Sequence, residues 1–432
     1  MKLKPYPEYK DSGVEWLGMV PDGWIVKPLF SVARERNESN RGMKEINLLS
    51  LSYGTIANKD IDSNEGLLPD SFETYQIIHE GDIVFRLTDL QNDKRSLRTA
   101  IVEEKGIITS AYVAVCPQGI DSKFLNYLLR SYDTQKVFYS MGGGLRQSMK
   151  FSDIKRLPIL IPEHKQQERI IFYIDRETAK LETLIAKQEK LIELLQEKRQ
   201  GIISHAVTKG LDANVKMKKS GSEFLGDVPE SWNVFKVRRC LIEHRQGYYP
   251  TDPYTEYGVK LLRITDLRKY AGVEFSESPY VELKEDISPF LLMRNDFVFA
   301  RTGGAGLFGV IGDVDIPVIY ASYLIRFRFT LGIETDFLKY FFLSSKFQDA
   351  LKQNIHGGVN QNVHAEDIKN QYIALPEKLD QIEIVNFLNK QTSKLDGLIS
   401  KAEQSICLAK EHRTALISAA VTGKIDLREY EQ

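Results

Sequence analysis

The chain has 432 residues, of which 42% are hydrophobic and 27% charged, and its formal net charge is -1. This balance is ordinary for a globular protein of two or three domains, and it argues against a protein that coats nucleic acid through excess positive charge. No run approaches 18 apolar residues, and Cys116, Cys240 and Cys407 form no CxxC pair or disulfide framework. We therefore expect a protein of the reducing cytoplasm without a membrane span.

The chain repeats itself once. Residues 12–24 recur at 220–232 with eight of thirteen positions identical, and both copies end in tryptophan. Residues 162–208 align with 376–422 at an offset of 214, whereas the regions between these matches are poorly alike. Two copies of one fold, with a shared scaffold and unlike surfaces, account for this pattern.

The repeated segment 164–208 predicts one long helix, and its C-terminal copy predicts a second. Apolar residues recur every seven positions with charges on the other faces, a pattern typical of a coiled coil. We expect the two helices to pair antiparallel with one domain at each end; packing of each helix on its own domain alone is the alternative. Pro162 and Pro376 suit the helix starts, and Gly210 and Gly423 suit the stops. The predicted seam consists of Ile174, Leu181, Leu184, Leu191, Leu195 and Ile202 in the first helix and Leu388, Leu395, Ala402, Ala409 and Leu416 in the second.

The regions between the repeats predict mixed α/β domains, because short Val-, Ile- and Phe-rich runs alternate with short helical stretches. The expected fold is two α/β (mixed) globular domains joined by two long antiparallel coiled-coil helices, with a pseudo-two-fold internal repeat. The predicted strands are 81–85, 111–115, 296–300 and 324–329, with short helices at 122–131 and 335–344. The predicted segments are a first domain at 1–160, a first long helix at 161–212, a second domain at 213–374, and a second long helix with a tail at 375–432.

Basic and polar residues follow the predicted strand ends in both domains. Residues 86–98 carry a balance of +2 and residues 260–269 a balance of +3. Arginine suits guanine, amide side chains suit adenine, and lysine or arginine binds phosphates, so these loops predict DNA contacts. Solvated surface loops are the alternative. The candidate residues are Arg86, Thr88, Lys94, Arg95 and Arg98 in the first domain and Lys260, Arg263, Thr265, Arg268 and Arg301 in the second.

Glycine loops at 142–147 and 357–361 precede the two long helices and match each other. Glycine allows a backbone to approach a phosphate closely, so we expect nucleic-acid contacts here too, with a tight turn as the alternative. The candidates are Arg146, Gln147, Asn360 and Gln361.

Motifs for chemistry are weak. Residues 304–309 fit GxGxxG, but Val310–Val314 predicts a following strand, and a dinucleotide site needs a helix there. Asp252-Pro253-Tyr254 lacks one proline of the amino-methyltransferase motif, and the histidines show no metal-ligand spacing. We therefore expect no catalytic residues and no metal site in the chain.

The twin boxes at 12–24 and 220–232, the matched starts of the long helices, and their endings at 203–210 and 417–424 together resemble the specificity subunits of Type I restriction-modification systems. The resemblance covers the whole chain. It implies a non-catalytic reader of double-stranded DNA, with one target-recognition domain for each half of a bipartite, asymmetric target and a spacer of fixed length.

The resemblance also implies partners. Two modification (methyltransferase) subunits would form a DNA adenine methyltransferase that uses S-adenosylmethionine, and restriction (motor-nuclease) subunits would add cleavage dependent on ATP and Mg. These cofactors belong to the partners. Two other hypotheses stay open, namely a self-sufficient methyltransferase or nuclease, and a structural coiled-coil scaffold that binds proteins without specific DNA binding.

Overall fold

The computed structural model describes residues 4–60, 69, 71–89, 97–141, 148–250, 253–282, 286–304, 306–353 and 362–430. The chain forms two compact units. Unit 1 comprises Met1–Gln188 and Gln404–Gln432, and unit 2 comprises Glu189–Glu403. The mixed α/β class predicted from the sequence is confirmed, whereas the predicted segment boundaries stay a prediction.

The strands and short helices of unit 1 match the predicted positions and extend beyond them. Its strands are β1 (Tyr9–Asp11), β2 (Met19–Pro21), β3 (Ile25–Pro28), β4 (Ala33–Glu35), β5 (Leu49–Ser52), β6 (Thr55–Asn58), β7 (Gln76–Ile78), β8 (Ile83–Phe85), β9 (Thr99–Ile101), β10 (Gly106–Ile108), β11 (Val113–Pro117) and β12 (Pro158–Ile161). Its short helices are α1 (Ser122–Thr134) and α2 (Phe151–Ile154), and the first long helix is α3 (His164–Lys209).

The centre of unit 1 is an antiparallel sheet of order β4-β11-β8-β9. Strand β8 is apolar throughout because both of its faces are covered. Ile83 and Phe85 pack into the core with α1 and the ends of the long helices, whereas Val84 packs into a second cluster under the hairpin of β5 and β6. Successive side chains of β8 therefore point into two different apolar layers, and neither face of the strand is polar.

Unit 2 repeats this arrangement and adds strands. Its strands are β13 (Met217–Lys219), β14 (Asp227–Pro229), β15 (Asn233–Lys236), β16 (Leu241–Gln246), β17 (Val259–Leu262), β18 (Leu267–Arg268), β19 (Gly272–Val273), β20 (Tyr280–Val281), β21 (Phe297–Ala300), β22 (Phe308–Val310), β23 (Val318–Tyr320), β24 (Leu324–Phe329) and β25 (Tyr372–Leu375). Its short helices are α4 (Thr335–Leu343), α5 (Ser345–Lys352) and α6 (Ala365–Lys369), and the second long helix is α7 (Lys378–Val421).

The central sheet of unit 2 has the order β16-β24-β21-β22, and a smaller sheet, β20-β17-β23, lies beside it. The alternation of β8 recurs in β21. Phe297 and Phe299 face an aromatic core with Phe342, while Val298 and Ala300 face a second cluster. The pairs β1–β2 and β3–β12 of unit 1 have counterparts in β13–β14 and β15–β25.

The segments of α3 and α7 that share a unit run antiparallel. In unit 2, Arg199 Nε lies 3.0 Å from Asp396 Oδ1, and further along α3 Lys209 faces the same cavity as Asp380. Residues later in α3 thus meet residues earlier in α7. In unit 1, Glu182 and Arg413 lie 3.5 Å apart.

A seam of buried and half-buried residues follows the predicted seven-residue period along both helices. Ile174 and Leu195 are buried, Leu181 and Ile202 are half-buried, and all five predicted positions of α7 are buried. Leu184 and Leu191, however, are 39% and 42% exposed, so the structure places them outside the seam. The second row of seam residues lies four positions after the row that contains Leu181, whereas the sequence analysis placed it three positions after. Ile185 and Ile192 therefore occupy the second row in place of Leu184 and Leu191.

The tryptophan of each repeated box covers the end of a long helix within its own unit. Trp24 is buried against the end of α7, where Gly423 has a φ of +72°. Trp232 lies against Gly210, which follows α3 with a φ of +79°. Both glycines are left-handed helix stops, as the sequence predicts, and a larger residue would meet the packed box.

Among the described residues, we find no helix that has both the length and the apolar character needed to cross a membrane.

Gly423→Ala should lower the free energy of unfolding by about 2–3 kcal/mol. The added Cβ would lie 2.4 Å from Pro21 Cδ, and the positive φ adds strain. Urea denaturation of the full chain measures this effect. Gly397→Ala is the matched control: Gly397 is exposed within α7 and has open space around it, so alanine should raise stability by about 0.5–1 kcal/mol. A neutral Gly423→Ala would contradict the proposed packing.

Candidate nucleic-acid interface

In each unit, the C-terminal end of a central strand (β8 in unit 1, β21 in unit 2) lies beside the residues that follow the glycine loop. In unit 1 the N–H of Met149 donates to the carbonyl of Leu87 at 2.9 Å, just past β8. In unit 2 the N–H of Val363 donates to the carbonyl of Arg301 at 2.8 Å, just past β21. These contacts are related by the 214-residue offset, so the two units present the same frame at this edge.

Six predicted residues lie outside the described part of the chain, and nothing is said of their placement. They are Lys94, Arg95, Arg146, Gln147, Asn360 and Gln361.

In unit 1, Arg86 and Thr88 are half-buried at the end of β8, and Arg98 is fully buried. The Arg98 guanidinium donates to the carbonyls of Thr88 at 3.0 Å and Asp89 at 3.4 Å. It also lies 5.6 Å from the centre of the Tyr139 ring. Arg98 thus holds the loop that follows β8, and a direct contact with DNA would need this segment to open.

The backbone N–H of Arg98 donates to the Asp133 carboxylate at 2.7 Å. Burial raises the pKa of Asp133, and the hydrogen bond from Arg98 opposes that shift. The sequence showed Arg98 only as a member of a basic loop, because Asp133 and Tyr139 lie 35 and 41 residues further along the chain.

In unit 2, three predicted basic residues are tied into their own loop. Arg263 pairs with Asp266 at 3.2 Å, Arg268 pairs with Glu274 at 2.8 Å, and Lys260 donates to the carbonyl of Phe275 at 2.7 Å. Arg268 is 44% exposed in its side chain, so its pair is a weak one and leaves donors for another ligand. The exposed Thr265 lies between these residues in the chain.

Arg301 is the predicted residue best placed for a ligand. It is half-buried at the end of β21, and its guanidinium has no hydrogen bond or ion pair with any described residue. Beside it, the hydroxyl of Thr302 lies 2.6 Å from Asn362 Oδ1, which follows the second glycine loop. An arginine with unused donors and a neighbouring amide are the groups that read base edges.

Two tyrosines at this edge were missed from the sequence. The carbonyl of Tyr323 accepts from the backbone N–H of Arg301 at 2.8 Å. Burial raises the pKa of Tyr323, and the charges of Tyr254 and Arg263 also act on its hydroxyl. Tyr254 is 54% exposed, and an exposed aromatic ring in a loop was the one available signal.

A buried aspartate anchors each central sheet, and both ion pairs were missed as well. Asp82 lies 2.8 Å from Arg36 in unit 1, and Asp296 lies 2.7 Å from Arg328 in unit 2. The hydrogen bonds to these carboxylates raise the pKa of Arg36 and of Arg328. Asp82 and Asp296 are related by the 214-residue offset, but Arg36 follows β4 whereas Arg328 lies in β24, so the repeat does not reveal the pairs.

The described residues contain no group of three or more metal-binding side chains in reach of one ion. The GxGxxG segment ends within strand β22 (Phe308–Val310), and the next described element is strand β23, so no helix stands where a dinucleotide site needs one.

Known proteins show the same likeness. Residues 229–406 match the family model of the Type I restriction modification DNA specificity domain. The Type I restriction enzyme MjaVIII specificity subunit of Methanocaldococcus jannaschii is 26% identical over 365 residues, covering 82% of this chain and 81% of that protein. The Type I restriction enzyme EcoKI specificity subunit of Escherichia coli is 22% identical over 434 residues, covering 94% and 90%.

A chain of similar fold occurs in a solved structure of the type I R-M system. That structure is described as the structural basis underlying complex assembly and conformational transition. Its TM-score is 0.65 at 16% sequence identity, and the match covers 93% of this chain and 98% of that one. Over most of its length the chain described here is therefore similar to the specificity subunits of Type I restriction-modification systems.

Asp296→Asn should lower the free energy of unfolding by about 3 kcal/mol, because it leaves Arg328 partly buried without its main charge partner. Asp313→Asn is the matched control. Asp313 also pairs with an arginine, Arg294, but its side chain is 74% exposed, so we expect a change within about 0.5 kcal/mol. Urea denaturation of both variants measures the difference, and equal losses would refute the anchoring role.

Proposed function

We propose that this chain is the sequence-specific DNA-recognition subunit of a Type I restriction-modification complex, reading a bipartite, asymmetric target with one half-site per domain. The observation that carries the proposal is the shared frame at the two strand ends. Thr88 and Thr302 occupy equivalent positions, but the residue before them is the buried Leu87 in unit 1 and the half-buried Arg301 in unit 2. Alike frames with unlike readers suit two different half-sites.

The two long helices set the spacer between the half-sites in this proposal, as an antiparallel pair within a pseudo-two-fold arrangement. Helix α3 has 46 residues and α7 has 44, which corresponds to roughly 65–70 Å of helix at 1.5 Å per residue. A pair of stiff helices with a regular seam holds a constant length, which is what a fixed spacer requires.

The chain carries out no chemistry of its own in this proposal. Two modification subunits dock on it and bring S-adenosylmethionine, and restriction subunits bring ATP and Mg. The whole complex works in the cytoplasm. A coiled-coil scaffold without specific DNA binding is the competing function, and the net charge of -1 is what favours it.

The direct test is to express the chain with its cognate modification subunit in a host and to sequence the host DNA for methylated adenines. We expect a single bipartite motif with two unlike halves and a fixed gap. Arg301→Met should change or relax one half only, because Arg301 belongs to unit 2. A change in both halves would contradict one half-site per domain.

Arg294→Met is the control for this substitution. It removes the same charge at an exposed residue that is already paired with Asp313, so the methylated motif should not change. If a stable complex gives no methylation and selection from random DNA finds no preferred sequence, the scaffold function is favoured instead.

Inserting four residues into either long helix should shift its seam out of register and abolish or alter the tolerated spacer. Inserting seven residues into both helices is the matched control, since a whole heptad keeps the seam. The second change should lengthen the methylated spacer by about three base pairs, from roughly 10 Å of added helix. An unchanged spacer and affinity in both cases would refute the role of the helices as a ruler.

A further inference from the structure

A cavity of about 250 Å³ lies in unit 1, among the β5–β6 hairpin, α1 and the segments of α3 and α7 that belong to this unit. Two guanidinium groups line it, those of Arg130 from α1 and Arg413 from α7. Tyr53, at the tip of the hairpin, and Glu182 of α3 line it as well. None of the residues predicted to bind DNA contributes to this cavity.

The charge in this cavity is unbalanced. Arg130 Nη2 donates to the carbonyl of Gly54, but its Nε is buried and has no hydrogen-bond partner among the described residues. Burial lowers the pKa of Arg130, and the charge of Arg413 lowers it further. Arg413 pairs with Glu182 at 3.5 Å, but the Glu182 side chain is 63% exposed, so that pair is weak.

The hydroxyl groups of two threonines in the cavity wall are already in use as donors. Thr178 donates to the carbonyl of Ile174 at 2.7 Å, and Thr414 donates to the carbonyl of Lys410 at 3.1 Å. Among the described residues that line the cavity, Arg130 Nε is the buried donor that remains unused. The carboxylate of Glu182 meets Arg413 but leaves Arg130 Nε without an acceptor, and a buried donor without a partner is costly.

In unit 2, the position equivalent to Arg413 is covered by side chains of the protein itself. Arg199 corresponds to Arg413 at the 214-residue offset and is 5% exposed. It pairs with Asp396 at 3.0 Å, and the ring of Tyr270 stacks on its guanidinium at 3.6 Å. Tyr270 is the hairpin-tip residue of unit 2, and its positive φ of 60° resembles the 48° of Tyr53. Tyr53, in contrast, is 75% exposed.

The second arginine is specific to unit 1. The contact between the hydroxyls of Ser131 and Ser418 recurs in unit 2 between Ser345 and Ser204, which aligns Arg130 with the buried Ser344. Unit 2 thus has one guanidinium covered by an aromatic ring, and unit 1 has two guanidinium groups facing an open cavity.

We propose that this cavity binds a phosphate group, held by Arg130 and Arg413 in place of the weak pair with Glu182. Paired guanidinium groups are the usual protein partners of phosphate oxygens. The phosphate is either a free oxyanion or a phosphate of the DNA backbone, and only the second form rests on the proposed DNA-reading function.

The first experiment titrates inorganic phosphate into the full chain by calorimetry at constant ionic strength. We expect saturable binding that weakens at least tenfold in Arg130→Met and in Arg413→Met. Arg41→Met is the control, because Arg41 is exposed and lies outside the cavity lining. Thr414→Glu is the second variant: it places a carboxylate at the exposed wall of the cavity and should abolish phosphate binding while both arginines remain.

The second experiment measures DNA binding by the complex with modification subunits as a function of salt concentration. If the site holds a DNA phosphate, the slope of log K against log salt should fall by about 1 in Arg130→Met and Thr414→Glu. Loss of phosphate binding in the variants assigns the free oxyanion. A reduced slope without phosphate binding by the wild-type chain assigns the DNA backbone.

Absence of both effects overturns the proposal, and a thermal melt of each variant shows that it is folded. The two proposals fail separately. A wild-type complex that binds no specific DNA refutes the DNA-reading function, whereas the calorimetric experiment still decides whether the cavity holds phosphate.

Discussion

The fold of each unit depends on burying the apolar stripe of a long helix. At the helix ends the stripe lies in a domain core, with Ile174 and Leu416 in the core of unit 1 and Leu388 in that of unit 2. Elsewhere it packs helix against helix, as Leu195 does with Leu395 in unit 2. Because one stripe serves both purposes, turning a helix about its axis would disturb a domain core and a helix pair together. This coupling explains why the seven-residue period persists through every turn of α7.

The same logic separates what is alike in the two units from what differs. Buried aspartates, the packed tryptophan boxes and the backbone contacts at the strand ends recur, because they hold the sheet against the helices. The side chains carried on this frame differ, because Leu87 packs into the core of unit 1 whereas the equivalent Arg301 is only half-buried. A frame of this kind allows the side chains at the strand end to change without loss of the fold.

Much of the architecture could be predicted because its signals are local. The apolar runs of β8 and β21, the glycine stops at Gly210 and Gly423 and the period of the long helices were all visible in short windows of sequence. The residues proposed to contact DNA were harder to predict. Arg98 and Arg263 look alike in a basic loop, but the first is fully buried and the second pairs with its neighbour Asp266. Leu184 and Leu191 were misplaced because a step of three and a step of four both keep an apolar stripe.

The sequence by itself determined the internal repeat, the mixed α/β class, the two long helices and their stops. These features follow from side-chain direction and backbone preference, which act over a few residues. Only the tertiary structure decided which charged side chains are paired, buried or brought together. The pairing of Asp82 with Arg36, the burial of Arg98 and the convergence of Arg130 with Arg413 join residues about 35 to 280 positions apart. Contacts over such separations depend on chain topology, and no local pattern encodes them.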